Sequence, residues 1–87
     1  MDLTTPYELD PQVSLRPEDF GALVYHFGNR KLSFVKHPDL LAVLEHLDTE
    51  PSLEAALEAV GVDRRRWPAF VRALDTLEAS EMVHART

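Results

Sequence analysis

The chain has 87 residues, a net charge of -6, 45% apolar side chains and no cysteine. A domain of this size has little room for a deep catalytic pocket, and its apolar fraction is too high for intrinsic disorder. Without cysteine there is no disulfide frame, thiolate metal site or cysteine nucleophile, and no apolar run approaches the roughly 18 residues of a membrane span.

Residues 1–6 read as a flexible N-terminus without the basic and apolar blocks of a signal peptide, so the expected location is cytoplasmic. Gln12–Arg16 alternates polar and apolar residues, as a short strand does, and Pro17 is expected to close it. Gly21–Phe27 is rich in β-formers and too short for a helix. Gly28-Asn29 is expected to supply the positive φ of a tight turn, and Arg30–Val35 to return as the third strand.

After Lys36 the apolar spacing changes to a helical period. Pro38 suits a first helical turn, with Leu40, Leu41, Leu44 and Leu47 on one face. Ser52 is a cap for a second helix over Leu53, Ala56, Leu57 and Val60, which Gly61 ends. A third helix is expected to start near Arg66 or Trp67, with Trp67, Phe70, Val71, Leu74 and Leu77 as its apolar stripe and Pro68 in its first turn. Met82 and Val83 pack back on the core, and residues 84–87 read as a flexible C-terminus. The fold class is α+β: a winged helix-turn-helix-like domain with three N-terminal antiparallel strands followed by three helices.

Catalytic signals are missing. The histidines His26, His37, His46 and His84 are not paired at helical ligand spacing, and no phosphate-binding glycine motif or marked serine nucleophile is present. The expectation is a binding module, neither an enzyme nor a metalloprotein.

Charge is unevenly distributed. Residues 20–37 hold Arg30, Lys31 and Lys36 and no acid, and residues 61–72 hold Arg64, Arg65, Arg66 and Arg72 against Asp63 alone. Residues 38–60 hold six acids and no lysine or arginine. A winged-helix DNA-binding regulator is one reading, with the arginines heading a recognition helix. The acidic 38–60 stretch opposes it, because DNA affinity rests largely on phosphate neutralisation. A self-pairing structural domain is another. The charge map favours a third. If the last strand has a free edge and the third helix lies beside it, the two basic segments line one trough for an extended acidic peptide added as a strand.

Residues Tyr7–Glu18 and Phe20–Phe34 carry a resemblance to the mycofactocin-system peptide chaperones, which belong to the PqqD-like recognition elements of ribosomally made, modified peptides. Val60–Asp63 and Leu74–Val83 are compatible with it, so it covers residues 7–83 as one recognition domain. The resemblance implies a non-catalytic protein without a cofactor. It would bind an acidic precursor peptide between the third strand and the third helix and present it to a radical S-adenosylmethionine maturase, which decarboxylates and cross-links the precursor's C-terminal Val-Tyr. On this sequence the resemblance implies peptide-binding residues Lys31, Leu32, Ser33, Phe34 and Val35 on the strand side and Arg65, Arg66, Ala69, Ala73 and Thr76 on the helix side. The charge map adds Arg30, Lys36 and Arg72 to the expected peptide-binding set.

Overall fold

The computed structural model describes residues 1–86. Strands β1 (Tyr7–Leu9), β2 (Val13–Glu18), β3 (Gly21–His26) and β4 (Leu32–Val35) are followed by helices α1 (Pro38–His46), α2 (Leu53–Val60) and α3 (Trp67–Ala79), and by strand β5 (Val83–Ala85). β2, β3 and β4 form an antiparallel sheet in that order, and β1 pairs with β5 in a second, two-stranded sheet. The α+β order of strands before helices matches the sequence reading, with two more strands than expected.

The three-stranded sheet is two-faced. Ala22 and Val24 of β3 and Val35 of β4 are buried against the helices, while Phe34 and Leu32, one and three residues before Val35, are exposed. Leu44, Leu47, Leu53, Leu57 and Leu74 complete the core from the helical side, each with almost no exposure. Trp67 is buried and its indole N–H donates to the Val62 carbonyl at 2.9 Å, so its polar atom is satisfied.

Three local expectations are corrected. Pro17 does not close β2 but lies inside it, paired with Ala22. The Phe27 N–H donates to the Gln12 carbonyl, which sets the alternation along β2 and turns position 17 away from β3. Proline is tolerated at an outward edge position because the missing N–H had no partner there. Second, the positive φ of the β3–β4 turn falls on Arg30 (φ 62), not on Gly28 or Asn29. The N–H groups of Gly28 and Asn29 instead donate to His26 Nδ1 at 3.0 and 3.1 Å, and a Cβ on Gly28 would meet the Gln12 and His26 side chains. Third, Leu41 is only half-buried, and Val43 takes its place on the inner face of α1.

Both ends of the described chain make hydrogen bonds to the rest of the domain. Glu54 N–H and Leu53 N–H donate to the carbonyls of Leu3 and Thr5. Tyr7 pairs with Ala85, Glu8 with His84 and Leu9 with Val83, and Arg86 donates to the Tyr7, Leu47 and Glu50 carbonyls. Residue 87 lies outside the described residues. α2 and α3 end in the same Schellman geometry. For α2, Gly61 has φ 83 and the Val62 N–H returns to the Leu57 carbonyl. For α3 the left-handed residue is Glu81 (φ 62), and the Met82 N–H returns to the Leu77 carbonyl. A left-handed residue with a Cβ is strained relative to glycine, so Glu81→Gly is expected to raise stability by about 0.5–1 kcal/mol in urea unfolding.

Gly21 has the opposite sensitivity. Its φ is 146, and a Cβ there would strike the Val35 carbonyl and the His37 nitrogen, both backbone atoms. Gly21→Ala is expected to cost more than about 3 kcal/mol, combining backbone strain with a clash that no side-chain rotation relieves. A thermal midpoint close to wild type would contradict this packing.

Candidate functional site

The site is built on a strand edge. The His26 N–H donates to the Lys31 carbonyl at 3.0 Å, so His26 and Lys31 are a hydrogen-bonded pair. Antiparallel pairs alternate between bonded and non-bonded positions. With Val24 opposite Ser33 and Ala22 opposite Val35, Ser33 and Val35 are the positions bonded to β3. Leu32 and Phe34, opposite Tyr25 and Leu23, therefore turn their N–H and C=O groups away from the sheet. The other edge is guarded. On β2 the outward positions are Val13, Leu15 and Pro17; the Val13 N–H is used by the Asp10 carbonyl at 2.9 Å, and Pro17 has no N–H. Of the two edges of this sheet, β4 alone offers two successive free pairing positions.

Beside this edge runs α3. A cleft of about 460 Å³ is lined by Leu32, Ser33, Phe34, Val35 and Lys36 from the strand side, by Leu40 of α1, and by Ala73, Thr76 and Leu77 of α3. It continues into a second cleft of about 340 Å³ that adds His37, Ala69 and Phe70. Small residues make this space: Ala69, Ala73 and Thr76 follow one another at three- and four-residue spacing, so they share one face of α3. A larger cleft of about 660 Å³, bounded by Asp10, His26, Glu78, Glu81 and His84, lies elsewhere and carries the wrong sign for an acidic ligand.

Of the sequence-nominated residues, Leu32, Ser33, Phe34, Val35, Lys36, Ala69, Ala73 and Thr76 line the two clefts. The remaining ones do not. Arg30 and Lys31 are exposed at the hairpin tip, and Arg72 is exposed on α3 next to Ala73. Arg65 is bound by its own neighbour, with Nε and Nη2 each 3.3 Å from Asp63. That side-chain contact, with the Arg65 N–H behind it, holds the Asp63 carboxyl below its ordinary range. Arg64 turns to α2, 3.4 Å from Glu58 and 3.7 Å from Glu54, and lies over the Trp67 ring. The continuous basic trough is thus broken: nearby carboxylates on the same surface draw two of its arginines away.

Arg66 alone of the three points toward the cleft. Its guanidinium lies 5.0 Å from the Phe70 ring centroid, donates to Asp39 Oδ2 at 3.0 Å and meets His37 Nε2 at 2.8 Å. Leu40, Phe70 and Leu77 also line the clefts, although their apolar spacing marks them as core residues. Their signal was present for α3, since Phe70 and Leu77 stand three and four positions from Ala73 and so share its side of the helix.

The chain matches the family model described as the peptide chaperone MftB family over residues 6–84. It belongs to that family. The matched MftB region takes in both sheets and all three helices, short only of the last residue of β5. Among proteins named peptide chaperone MftB, that of Mycobacterium tuberculosis is 45% identical over 80 residues, covering 92% of this chain and 73% of the relative. The Mycobacterium ulcerans protein is 46% identical over 77 residues, covering 88% and 71%. The Mycolicibacterium smegmatis protein is 42% identical over 82 residues, covering 94% and 80%. These MftB relatives are named as chaperones and not as catalysts. No solved structure matches the chain. Among the described residues no group of three or more histidine or acidic side chains is placed to hold a metal, and no helix is long and apolar enough to cross a membrane.

Proposed function

We propose that this chain is a non-catalytic peptide chaperone of mycofactocin biosynthesis. It binds an extended acidic precursor peptide as a strand added to β4 and presents it to a radical S-adenosylmethionine maturase. The observation that carries this reading is the pairing parity of β4, which leaves Leu32 and Phe34 free to bond a new strand directly beside the α3 cleft. Main-chain bonds supply affinity in such an arrangement, and alternate side chains of the added strand enter the cleft and supply specificity. Lys36 lines both clefts and Arg66 lies against His37 and Phe70 of the second, an arrangement that favours an acidic ligand. The names of the MftB relatives agree with a peptide-chaperone role.

The DNA reading needs arginines free at the head of α3, and Arg64 and Arg65 are engaged there by Glu54, Glu58 and Asp63. The test is a titration of the protein with an acidic leader peptide and, separately, with duplex DNA, at about 50 mM and about 500 mM salt. The proposal expects peptide binding that survives high salt through its main-chain and apolar part. Tight DNA binding that collapses with salt, with no peptide binding, would overturn it.

Asp39 accepts a hydrogen bond from Arg66 and so occupies the position a peptide carboxylate would take. Removing this internal competitor by Asp39→Asn is expected to tighten the acidic peptide about threefold, the scale of a partly exposed ion pair. Calorimetry on the two proteins checks this, and unchanged affinity would separate Arg66 from the site.

A further inference from the structure

Among the described residues nothing covers the outer face of the three-stranded sheet. Leu23 and Tyr25 of β3 lie opposite Phe34 and Leu32 of β4 on that face, at the positions out of step with the buried Ala22, Val24 and Val35. Phe27 continues the alternation of β3 by two residues. Phe20, at the β2–β3 turn, joins the same surface through Phe34, with ring centroids 6.4 Å apart, and Tyr25 meets Phe27 edge-on at 5.0 Å. Phe20, Phe27, Leu32 and Phe34 are 44%, 64%, 52% and 59% exposed, the large apolar side chains most open to water in the protein. Contiguous exposed apolar surface on a small domain marks an interaction site.

Charge selects the occupant. The only lysine, arginine or acidic residues between Phe20 and His37 are Arg30, Lys31 and Lys36, while Arg16 of β2, opposite Leu23 on this face, is already paired with Glu18 at 3.0 Å. Among the described residues no carboxylate pairs with Arg30, Lys31 or Lys36, so these cations are left for a partner. A partner protein whose apolar patch is edged with carboxylates fits them. The place of β4 narrows the choice further. Leu32 and Phe34 carry this face on their side chains and the free pairing positions on their backbone. A strand added to β4 widens the same sheet, and every second side chain of that strand continues the apolar face.

We propose that the outer face of this sheet, completed by the bound peptide strand, docks the enzyme that acts on the peptide. This rests on the reading of β4 as the peptide-binding edge. A surface shared between chaperone and cargo makes the enzyme bind the loaded chaperone more tightly than the empty one, and linkage requires the enzyme to tighten the peptide by the same factor.

The test uses Phe20→Ser and Phe27→Ser, singly and together, because neither residue lies on β4 or in the cleft. Peptide affinity is measured first without enzyme, then affinity for the purified radical S-adenosylmethionine maturase with and without peptide. The expected result is unchanged peptide affinity, with maturase affinity of the double variant reduced more than about tenfold, as for loss of aromatic anchors at an interface centre. Wild-type maturase affinity is expected to rise when peptide is present. Maturase binding within twofold of wild type in the double variant overturns the proposal. So does a wild-type dimer that the double variant abolishes in sedimentation, or binding to phosphatidylglycerol vesicles that it abolishes, since the face then belongs to a second copy or a membrane. Absence of peptide binding in the first step refutes the β4 reading itself, independently of the enzyme measurement.

Discussion

Phe34→Pro is expected to weaken peptide binding by at least about tenfold while the domain stays folded. The N–H of Phe34 points away from β3, so proline removes a donor that the free protein leaves to solvent. In the complex the same donor bonds the added strand. Its loss leaves a peptide carbonyl unpaired, and the ring obstructs close approach. Phe34→Ala separates the backbone effect from the side chain, since it keeps the N–H and removes the ring. The neighbouring position behaves differently. Ser33 is a bonded position opposite Val24, in the middle of the hairpin. Ser33→Pro breaks a ladder bond beside the buried Val24 and is expected to lower the thermal midpoint by about 10 °C or more. One residue of displacement thus converts a binding defect into a folding defect. Equal stability losses at 33 and 34 would show the assigned parity to be wrong.

Ala73→Glu has the second large effect. Ala73 lies where the two clefts meet and touches both. Glutamate there fills the space that the small side chain leaves and puts a carboxylate against an acidic peptide. Like charges forced together at an interface cost several kcal/mol, so affinity is expected to fall about a hundredfold. Ala73→Lys adds similar bulk with the opposite sign, and its loss should stay within about tenfold if the peptide is acidic. Both are good helix formers at a half-exposed position, so unfolding midpoints should remain near wild type. Equal losses would mean that volume alone governs the cleft, and no loss from either would move the site elsewhere.

The parts of the fold readable in advance were those with a local cause. Ser52 accepts from the Ala55 N–H, Gly61 takes the left-handed turn, and Pro38 sits in the first turn of α1, all decided within a few residues. The second sheet was not readable. Its strands are three residues each, too short to show a period, and they join opposite ends of the chain. The end of α3 was obscured because Glu81 adopts the conformation that glycine usually marks. At the site, the strand edge was proposed from the charge map, and the small face of α3 came from the family resemblance. The destinations of the arginines followed from neither, because Arg64 meets Glu54 and Glu58 only after the chain turns at Gly61. The outer aromatic face was visible in the alternation of Leu23, Tyr25 and Phe27, which the general β-propensity of that segment concealed.

The central claim is that the peptide becomes a strand on β4. Amide hydrogen exchange at Leu32 and Phe34, with and without an acidic leader peptide, tests it most directly. The account predicts that both amides exchange freely in the protein alone, in contrast to those of Ser33 and Val35, and become protected when the peptide is bound. Saturating peptide with Leu32 and Phe34 still exchanging freely would contradict it.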